Sequence, residues 1–497
     1  MWLSAGVVRR ILHRDTTMRA RILLIVSTAL ACPAMSLAQI PDTPAGRELA
    51  AWLSVFNGAN RDTVRTFYQQ HYPSAPARIE QMLDFRARTG GFELVKITAS
   101  TATRVAAFLQ ERASDQFAEA TLDVDSAPPH HISGLRISAI ERPAEFAIRR
   151  LDPTNLAQAV RAQTEHDATA GLFSGAVLIA QNGKPILQSA NGLADRERQI
   201  QNTLDTRFRL GSMNKMFTAT AIMQLVQAGT VKLEAPLATY LPDYPNKELA
   251  SKVTIHQLLT HTGGTGDIFT PEYETHRLEL HTLADYVKLF GNRAVQFEPG
   301  ARFAYSNYGF ILLGRVIEAV SGVSYYEYVA RHVYAPAGMM SSGSEPEDSV
   351  VKGRAIGYTK QESPNGTWQP NTNTLPWRGT SAGGGYSTVG DLLRFAEALR
   401  GHKLLDARHT DLLTSVKVNS PGGGQYAYGF GVTTSNGLHC FGHNGGAPGM
   451  NGDLAICDGG YVIAVLANMD PPAAGRLSTF IRNRLPASGD AKPNASQ

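Results

Sequence analysis

The chain has 497 residues, of which 43% are hydrophobic and 18% are charged, and its formal net charge is +4. This length and composition predict roughly two to four folded domains, and they exclude collagen-like, coiled-coil and disulfide-rich scaffolds. Arginines in the first 38 residues account for the whole net charge, so no nucleic-acid partner is expected for the neutral remainder.

Residues 1–38 have the pattern of a secretory signal peptide. The apolar run 22–31 follows two arginines, and Ser36-Leu37-Ala38 offers the small residues of a cleavage site. The run is too short to span a bilayer, so no transmembrane anchor is expected. A lipoprotein anchored through Cys32 is disfavoured because Ala29 fits the preceding lipobox position poorly. We therefore expect an exported protein, either periplasmic or extracellular.

Residues 39–150 are predicted to form a small α+β accessory domain. Apolar residues at helical spacing predict three helices, the first of which is capped by Thr43 and carries Pro44 at its first position. Four strand-like runs follow, at Phe92–Ser100, Arg104–Arg112, Gln116–Val124 and His131–Ile140. Helices followed by a strand meander indicate an α+β fold, and this element order resembles an NTF2-like or cystatin-like domain.

Residues 151–485 are predicted to form a second, larger domain. It opens with a hairpin at Asn182-Gly183, and helices dominate between Ser212 and Leu399. Strands are predicted at Tyr426–Thr433, Leu438–His443, Gly452–Cys457 and Tyr461–Asn468, and a last helix at Ala473–Leu485. This order predicts one antiparallel sheet built from both ends of the domain, flanked by helices and beside a helical layer. The polar tail 486–497 is predicted to be disordered.

The first chemistry-bearing motif is Ser212-Met213-Asn214-Lys215, at the predicted start of a helix. A separation of three residues puts Ser212 and Lys215 on one helix face. Burial would favour the neutral amine, which can accept the proton of the serine hydroxyl. A second S-x-x-K, Ser349-Val350-Val351-Lys352, is predicted to lie in a solvated loop.

Tyr305-Ser306-Asn307 is the second motif. A tyrosine hydroxyl can relay a proton and an amide side chain can hold a substrate carbonyl, while Ser306 is also suited to cap the following helix. The similar Tyr244-Pro245-Asn246 follows a proline-rich stretch and is predicted to be a surface turn.

His443-Asn444-Gly445 is the third motif, predicted at the end of a strand, where Gly445 and Gly446 leave room for a substrate against the backbone. A similar His261-Thr262-Gly263 is predicted to be an ordinary loop.

The order and spacing of the three motifs make the pattern specific. Tyr305 lies 93 residues after Ser212, and His443 lies 138 residues further on. Over about residues 160–485 the chain resembles the serine β-lactamase and penicillin-binding protein superfamily. Within it, the likeness is to the branch of class C β-lactamases, D-alanyl-D-alanine carboxypeptidases and related esterases. The resemblance implies a β-lactamase/transpeptidase-like α+β fold and an exported serine hydrolase.

The same resemblance implies a role for each motif residue. Ser212 would be the acylated nucleophile, Lys215 its general base and Tyr305 the proton relay. Asn307, His443, Gly445 and Gly446 would bind substrate, and the backbone N–H groups of Ser212 and Gly446 would form the oxyanion hole.

The chain departs from the family at the third motif, where β-lactamases carry lysine and this chain carries His443. A histidine is mostly neutral at pH 7, so the anchor for a substrate carboxylate is weakened. We therefore expect hydrolysis of an ester or a D-amino-acid amide or peptide, with weak or absent β-lactamase activity. The alternative is a penicillin-binding sensor that is acylated without turnover.

Two further expectations concern cysteines and cofactors. Cys440 and Cys457 either form a disulfide, if their strands pair so that they face each other, or remain buried thiols. No metal or cofactor is expected, because no HExxH motif and no nucleotide-binding loop in a strand–helix context is found. The substrate is expected to be a small molecule, a peptide or an ester, and the oligomeric state stays open.

Overall fold

A computed structural model describes residues 39–75, 79–140, 142–361, 363, 366–421, 424–435 and 437–486. The predicted signal peptide at 1–38 and the predicted tail from residue 487 onward lie outside this described part. Within it, no helix is both long enough and apolar enough to cross a membrane.

The first part of the chain forms helices followed by a four-stranded antiparallel meander. The helices are α1 Pro44–Gly58, α2 Arg61–His71 and α3 Ile79–Thr89, and the strands are β1 Phe92–Ser100, β2 Arg104–Glu111, β3 Phe117–Val124 and β4 Ile132–Ile140. Thr43 caps α1 by accepting a hydrogen bond from the Gly46 N–H at 3.1 Å. The apolar face of α1 packs against β2 and β3 around the buried Trp52. The order of elements is as predicted, while the likeness to an NTF2-like or cystatin-like domain stays a prediction.

Helices and short strand pairs fill most of the chain between residues 153 and 414. The helices are α4 Pro153–Thr169, α5 Asn214–Gln227, α6 Lys247–Lys252, α7 Ile255–Leu259, α8 Pro271–His276, α9 Leu283–Phe290, α10 Asn307–Ser321, α11 Tyr325–Val329, α12 Ala335–Ala337, α13 Val389–Arg400 and α14 Ala407–Thr414. The strands of this region are β5 Gly175–Gln181, β6 Lys184–Asn191, β7 Leu193–Asp195, β8 Ile200–Gln201, β9 Phe208–Arg209, β10 Tyr358–Thr359, β11 Gln369–Pro370 and β12 Tyr386–Ser387.

The last part of the chain completes an eight-stranded antiparallel sheet. It supplies β13 Val418–Asn419, β14 Gln425–Tyr426, β15 Gly431–Ser435, β16 Leu438–Ala447, β17 Met450–Cys457 and β18 Tyr461–Ala467, followed by helix α15 Ala473–Arg484. The strand order is β13-β14-β15-β16-β17-β18-β5-β6, so β18 joins the two ends of the domain. Helices α4 and α15 cover one face of the sheet, and the core around α5 and α10 covers the other. The predicted sheet, flanked by helices and beside a helical layer, is confirmed.

Two of the predicted strand boundaries were wrong. The run Tyr426–Thr433 is two short strands, because the chain turns between them at Gly429, whose φ is +71°. The strand predicted to end at His443 continues to Ala447, because β17 pairs with residues 440–447. The third motif therefore lies inside a strand of the sheet, where its pairing with β17 fixes its register.

Strands β16 and β17 place Cys440 directly opposite Cys457, with their Cα atoms 4.0 Å apart, and a disulfide joins the two residues. We predict that proteolysis of the purified, non-reduced protein yields one cross-linked peptide pair containing both cysteines. Mass spectrometry before and after reduction checks this outcome, and two peptides with free thiols would contradict it.

Candidate active site

Ser212 and Lys215 lie at the junction between a single 3-10 turn, Gly211–Met213, and helix α5. Lys215 is completely buried, and its Nζ lies 3.3 Å from Ser212 Oγ. The same Nζ donates to Asn307 Oδ1 at 2.7 Å and to the Ala382 carbonyl oxygen at 2.5 Å. Desolvation lowers the pKa of Lys215 to about 7. A neutral amine is therefore available next to the serine hydroxyl near neutral pH.

Tyr305 lies on the loop that enters helix α10, and Ser306 caps that helix by accepting the Gly309 N–H at 2.9 Å. The ring centroid of Tyr305 is 4.7 Å from Lys215 Nζ, and its hydroxyl forms a hydrogen bond with the Ser212 side chain. Desolvation raises the pKa of Tyr305 above its ordinary value, although 39% of the residue remains exposed. The phenol therefore stays protonated at neutral pH and can donate a proton.

Strand β16 passes directly beside the serine, and this approach requires glycine at position 445. A Cβ atom there would lie 1.9 Å from the Leu210 carbonyl oxygen and 3.1 Å from the Ser212 nitrogen. Gly446, the next residue, borders the same cleft as Ser212. The third motif thus brings a strand backbone to Ser212 without an intervening side chain.

His443 is buried on β16, with 8% of the residue exposed. Its Nε2 lies 3.0 Å from the Tyr426 hydroxyl, and its Nδ1 lies 2.5 Å from the Asn444 carbonyl oxygen. Desolvation, followed by the charge of Lys215, lowers the pKa of His443 to about 4. His443 is therefore neutral at physiological pH and contributes no positive charge to the site.

Asp267 belongs to the site, although no motif marked it in the sequence. Its carboxylate accepts hydrogen bonds from Asn307 Nδ2 at 3.0 and 3.2 Å and from the Asn307 N–H at 3.2 Å. This contact turns the amide oxygen of Asn307 toward Lys215. The negative charge of Asp267 also raises the pKa of Lys215, which partly offsets the effect of burial.

His261 lies in a turn, as predicted, but it also contacts Tyr305, which the sequence did not indicate. Its ring is buried, and the ring centroid lies 4.2 Å from that of Tyr305. The signal in the sequence was an H-x-G shortly after the apolar Leu258-Leu259, but only the fold brings His261 to Tyr305.

The other two sequence look-alikes lie away from Ser212. Tyr244 is buried and bonds the Tyr308 hydroxyl at 3.0 Å, so its prediction as part of a surface turn was wrong. Asn246 caps helix α6. In the second S-x-x-K, Val350 is 99% exposed and the segment lies outside the helices and strands, as expected for a solvated loop.

A cavity of about 120 Å³ opens beside Ser212. Apolar and aromatic side chains form most of its wall, among them Ile268, Phe269, Tyr273, Leu375, Pro376 and Met450. Asn307 and Gly446 border it next to the serine, and the described lining residues include no aspartate, glutamate, lysine, arginine or histidine. The cavity is therefore suited to an uncharged, largely apolar group.

Comparisons with known proteins agree with this geometry. The Beta-lactamase family model matches residues 156–487. The chain is 30% identical to the putative penicillin-binding protein PbpX of Bacillus subtilis over 301 residues, which are 59% of this chain and 70% of PbpX.

Solved structures give the same result. A penicillin-binding protein from Bacillus halodurans aligns with a TM-score of 0.58 and 35% identity, covering 64% of this chain and 98% of that one. A D-stereospecific amidohydrolase from Streptomyces aligns with a TM-score of 0.55 and 28% identity, covering 66% and 98% of the two chains. The second domain therefore has a β-lactamase/transpeptidase-like fold.

The position of Asp267 leads to a prediction about pH. Lys215 can accept a proton only when it is neutral, so the acylation rate of Ser212 should rise as the pH passes the pKa of Lys215. Asp267→Asn removes a charge that raises this pKa, and the acid limb should therefore move to lower pH. The measurement is the pH dependence of covalent labelling by a fluorophosphonate.

Glu272→Gln is the matched control, since Glu272 pairs with Arg293 at 3.1 Å and is not among the charges that affect Lys215. Its acid limb should coincide with that of the unmodified protein. An unchanged limb in Asp267→Asn, or an equal shift in both variants, would contradict the role given to Asp267.

Proposed function

The chain belongs to the beta-lactamase family, and on that premise we propose that it is a serine hydrolase working through an acyl-enzyme on Ser212. Its substrate would be an ester or a D-amino-acid amide or peptide. The observation that carries the proposal is the fully buried Lys215 Nζ, 3.3 Å from the Ser212 hydroxyl. Burial keeps the pKa of this amine within reach of neutral pH, which is what a general base requires.

The proposed acylation begins when neutral Lys215 takes the proton of the Ser212 hydroxyl as Oγ attacks the substrate carbonyl carbon. The carbonyl oxygen becomes an oxyanion, held by the backbone N–H groups of Ser212 and Gly446. Each such donor is typically worth about 10²–10³ in rate. Tyr305 gives its proton to the leaving alcohol or amine as the bond to carbon breaks, and it regains a proton from Lys215. Water then hydrolyses the acyl-enzyme by the reverse use of the same groups.

The proposed preference for uncharged substrates rests on charge. Neutral His443 stands where β-lactamases carry lysine, and the cavity beside Ser212 has an uncharged wall. A substrate carboxylate would therefore find no fixed cation from either source. The name of the Streptomyces relative, a D-stereospecific amidohydrolase, supports amides of D-amino acids as one substrate class.

We further propose that residues 151–485 are the hydrolase domain and that residues 39–150 are an accessory domain. The predicted signal peptide at 1–38 supports action outside the cytoplasm. The test is to measure ester hydrolysis in the medium, the periplasmic fraction and the cytoplasmic fraction of the producing cell. Activity found mainly in the cytoplasmic fraction would count against this location.

We predict that Ser212→Ala abolishes labelling of the protein by a fluorophosphonate probe, because no other group would carry the acyl bond. Ser349→Ala is the matched control, since Ser349 starts the exposed second copy of the S-x-x-K pattern. It should be labelled like the unmodified protein. Intact-mass spectrometry gives the result, and labelling that persists in Ser212→Ala would reject the nucleophile.

We predict sustained turnover of p-nitrophenyl esters and D-amino-acid amides, with slower turnover of nitrocefin and of peptides ending in a D-alanine carboxylate. The reason is the missing cation for a substrate carboxylate. Product release is followed through several equivalents per chain. A burst of a single equivalent with no later turnover on every substrate would instead support a penicillin-binding sensor that is acylated and not regenerated.

A further inference from the structure

We propose that His261 and Tyr426 are positioning residues for this site: together they fix the Tyr305 loop and hold His443 in one orientation. The inference rests on the proposed hydrolase function, since it assigns Tyr305 a part in proton transfer. Neither residue belongs to the three motifs, and neither would need to touch substrate.

His261 holds the Tyr305 loop on both sides of the tyrosine. Its carbonyl oxygen accepts the Ala304 N–H at 2.8 Å, and its Nδ1 accepts the Ser306 N–H at 3.1 Å. Its ring also packs against the Tyr305 ring, with centroids 4.2 Å apart. One residue therefore restrains the backbone before Tyr305, the backbone after it and the side chain between.

The backbone of His261 supports a specific role for this side chain. Its φ is +59°, in the left-handed region that is unfavourable for residues other than glycine. A glycine would adopt this φ without strain, but it would lack the imidazole ring. That ring accepts the Ser306 N–H, bonds Tyr426 and packs against Tyr305. Strained side-chain-bearing residues of this kind cluster at functional sites.

The hydrogen bonds from His261 continue in one direction to His443. Because Nδ1 of His261 accepts from Ser306, its proton lies on Nε2, which donates to the Tyr426 hydroxyl at 3.1 Å. Tyr426 in turn donates to His443 Nε2 at 3.0 Å, so the His443 proton lies on Nδ1 and points to the Asn444 carbonyl oxygen. Each group has one consistent role, and an added proton on either histidine would break a bond.

Water cannot easily replace these bonds, because all three side chains are buried: His261 is 1% exposed, Tyr426 6% and His443 8%. Removal of the Tyr426 hydroxyl leaves the His261 Nε2–H without its acceptor and the His443 Nε2 without its donor. Unpaired buried polar groups of this kind favour rearrangement. The rings of His261 and His443 should then lose their fixed orientation, and Tyr305 should lose its alignment with Ser212.

Tyr426→Phe tests the proposal, with Tyr428→Phe as a matched control. Tyr428 is also buried and also bonds a histidine, His256 Nδ1 at 2.7 Å, but its bond leads away from Ser212. We expect Tyr426→Phe to lower kcat on a p-nitrophenyl ester by roughly tenfold or more, since its hydroxyl makes two modest hydrogen bonds, with KM changed less than twofold. Tyr428→Phe should keep the kcat of the unmodified protein, even if both variants unfold at a similarly lower temperature.

His261→Gln and His261→Leu give a second, independent measurement. Glutamine can accept from the Ser306 N–H and donate to Tyr426, whereas leucine can do neither. We expect the glutamine variant to keep most of kcat and the leucine variant to lose at least as much as Tyr426→Phe. Equal kcat in these two folded variants, an unchanged kcat in Tyr426→Phe, or equal losses in Tyr426→Phe and Tyr428→Phe would overturn the proposal.

Labelling of the unmodified protein separates this inference from the function on which it rests. Suppose that Ser212 is labelled by a fluorophosphonate and that esters are turned over. If Tyr426→Phe then has the same kcat as Tyr428→Phe, and His261→Gln the same kcat as His261→Leu, only the positioning role fails. If the unmodified protein is neither labelled nor active, the hydrolase proposal fails first.

Discussion

The site depends on a lysine amine that is buried and, among the described residues, has no ionised partner in direct contact. Its three acceptors are neutral oxygens, on Ser212, Asn307 and Ala382. A carboxylate in contact with Nζ would stabilise the ammonium and oppose the proposed role as a base, whereas an entirely apolar site would leave the amine without alignment. Asn307 resolves this conflict, because its amide stands between Lys215 and Asp267 and keeps the carboxylate one residue further away.

The fold supplies what this lysine needs, because it brings together segments that are far apart in the sequence. Helix α5 buries the amine, the loop before α10 brings Tyr305, and β16 lines the opposite side. A slip of one residue in the pairing of β16 with β17 would turn every side chain of the strand to the other face. It would also put a different residue where Gly445 now lies against Leu210. The long antiparallel pairing of β16 with β17 is therefore part of the site as well as part of the core.

The sequence was most informative where the chemistry or the periodicity is local. The serine–lysine pair, the Asn182-Gly183 hairpin and the four-stranded meander could each be predicted from neighbouring residues. Asp267 and His261 could not, because each acts through contacts with residues about 40 positions away in the sequence. A histidine before Thr-Gly, or an aspartate in a loop, has the same local sequence pattern whether or not it lies at a functional site. The strand containing His443 was predicted too short for a related reason: its glycines have low strand propensity, and only the partner strand holds them extended.

The neutral His443 also alters how a substrate could be held. A lysine at this position could attract a carboxylate, but an ion pair at a partly solvated site is worth only about 0–1 kcal/mol. Burial of one methylene group contributes about 0.8 kcal/mol, so one or two methylenes in the apolar cavity beside Ser212 would replace the lost attraction. Such a site would select for the shape and length of an acyl group and would make little use of charge. Because His443 is neutral, it also avoids the repulsion by which a lysine at this position would lower the pKa of Lys215 further. A neutral His443 is therefore compatible both with the proposed role of Lys215 as a base and with an apolar cavity beside Ser212.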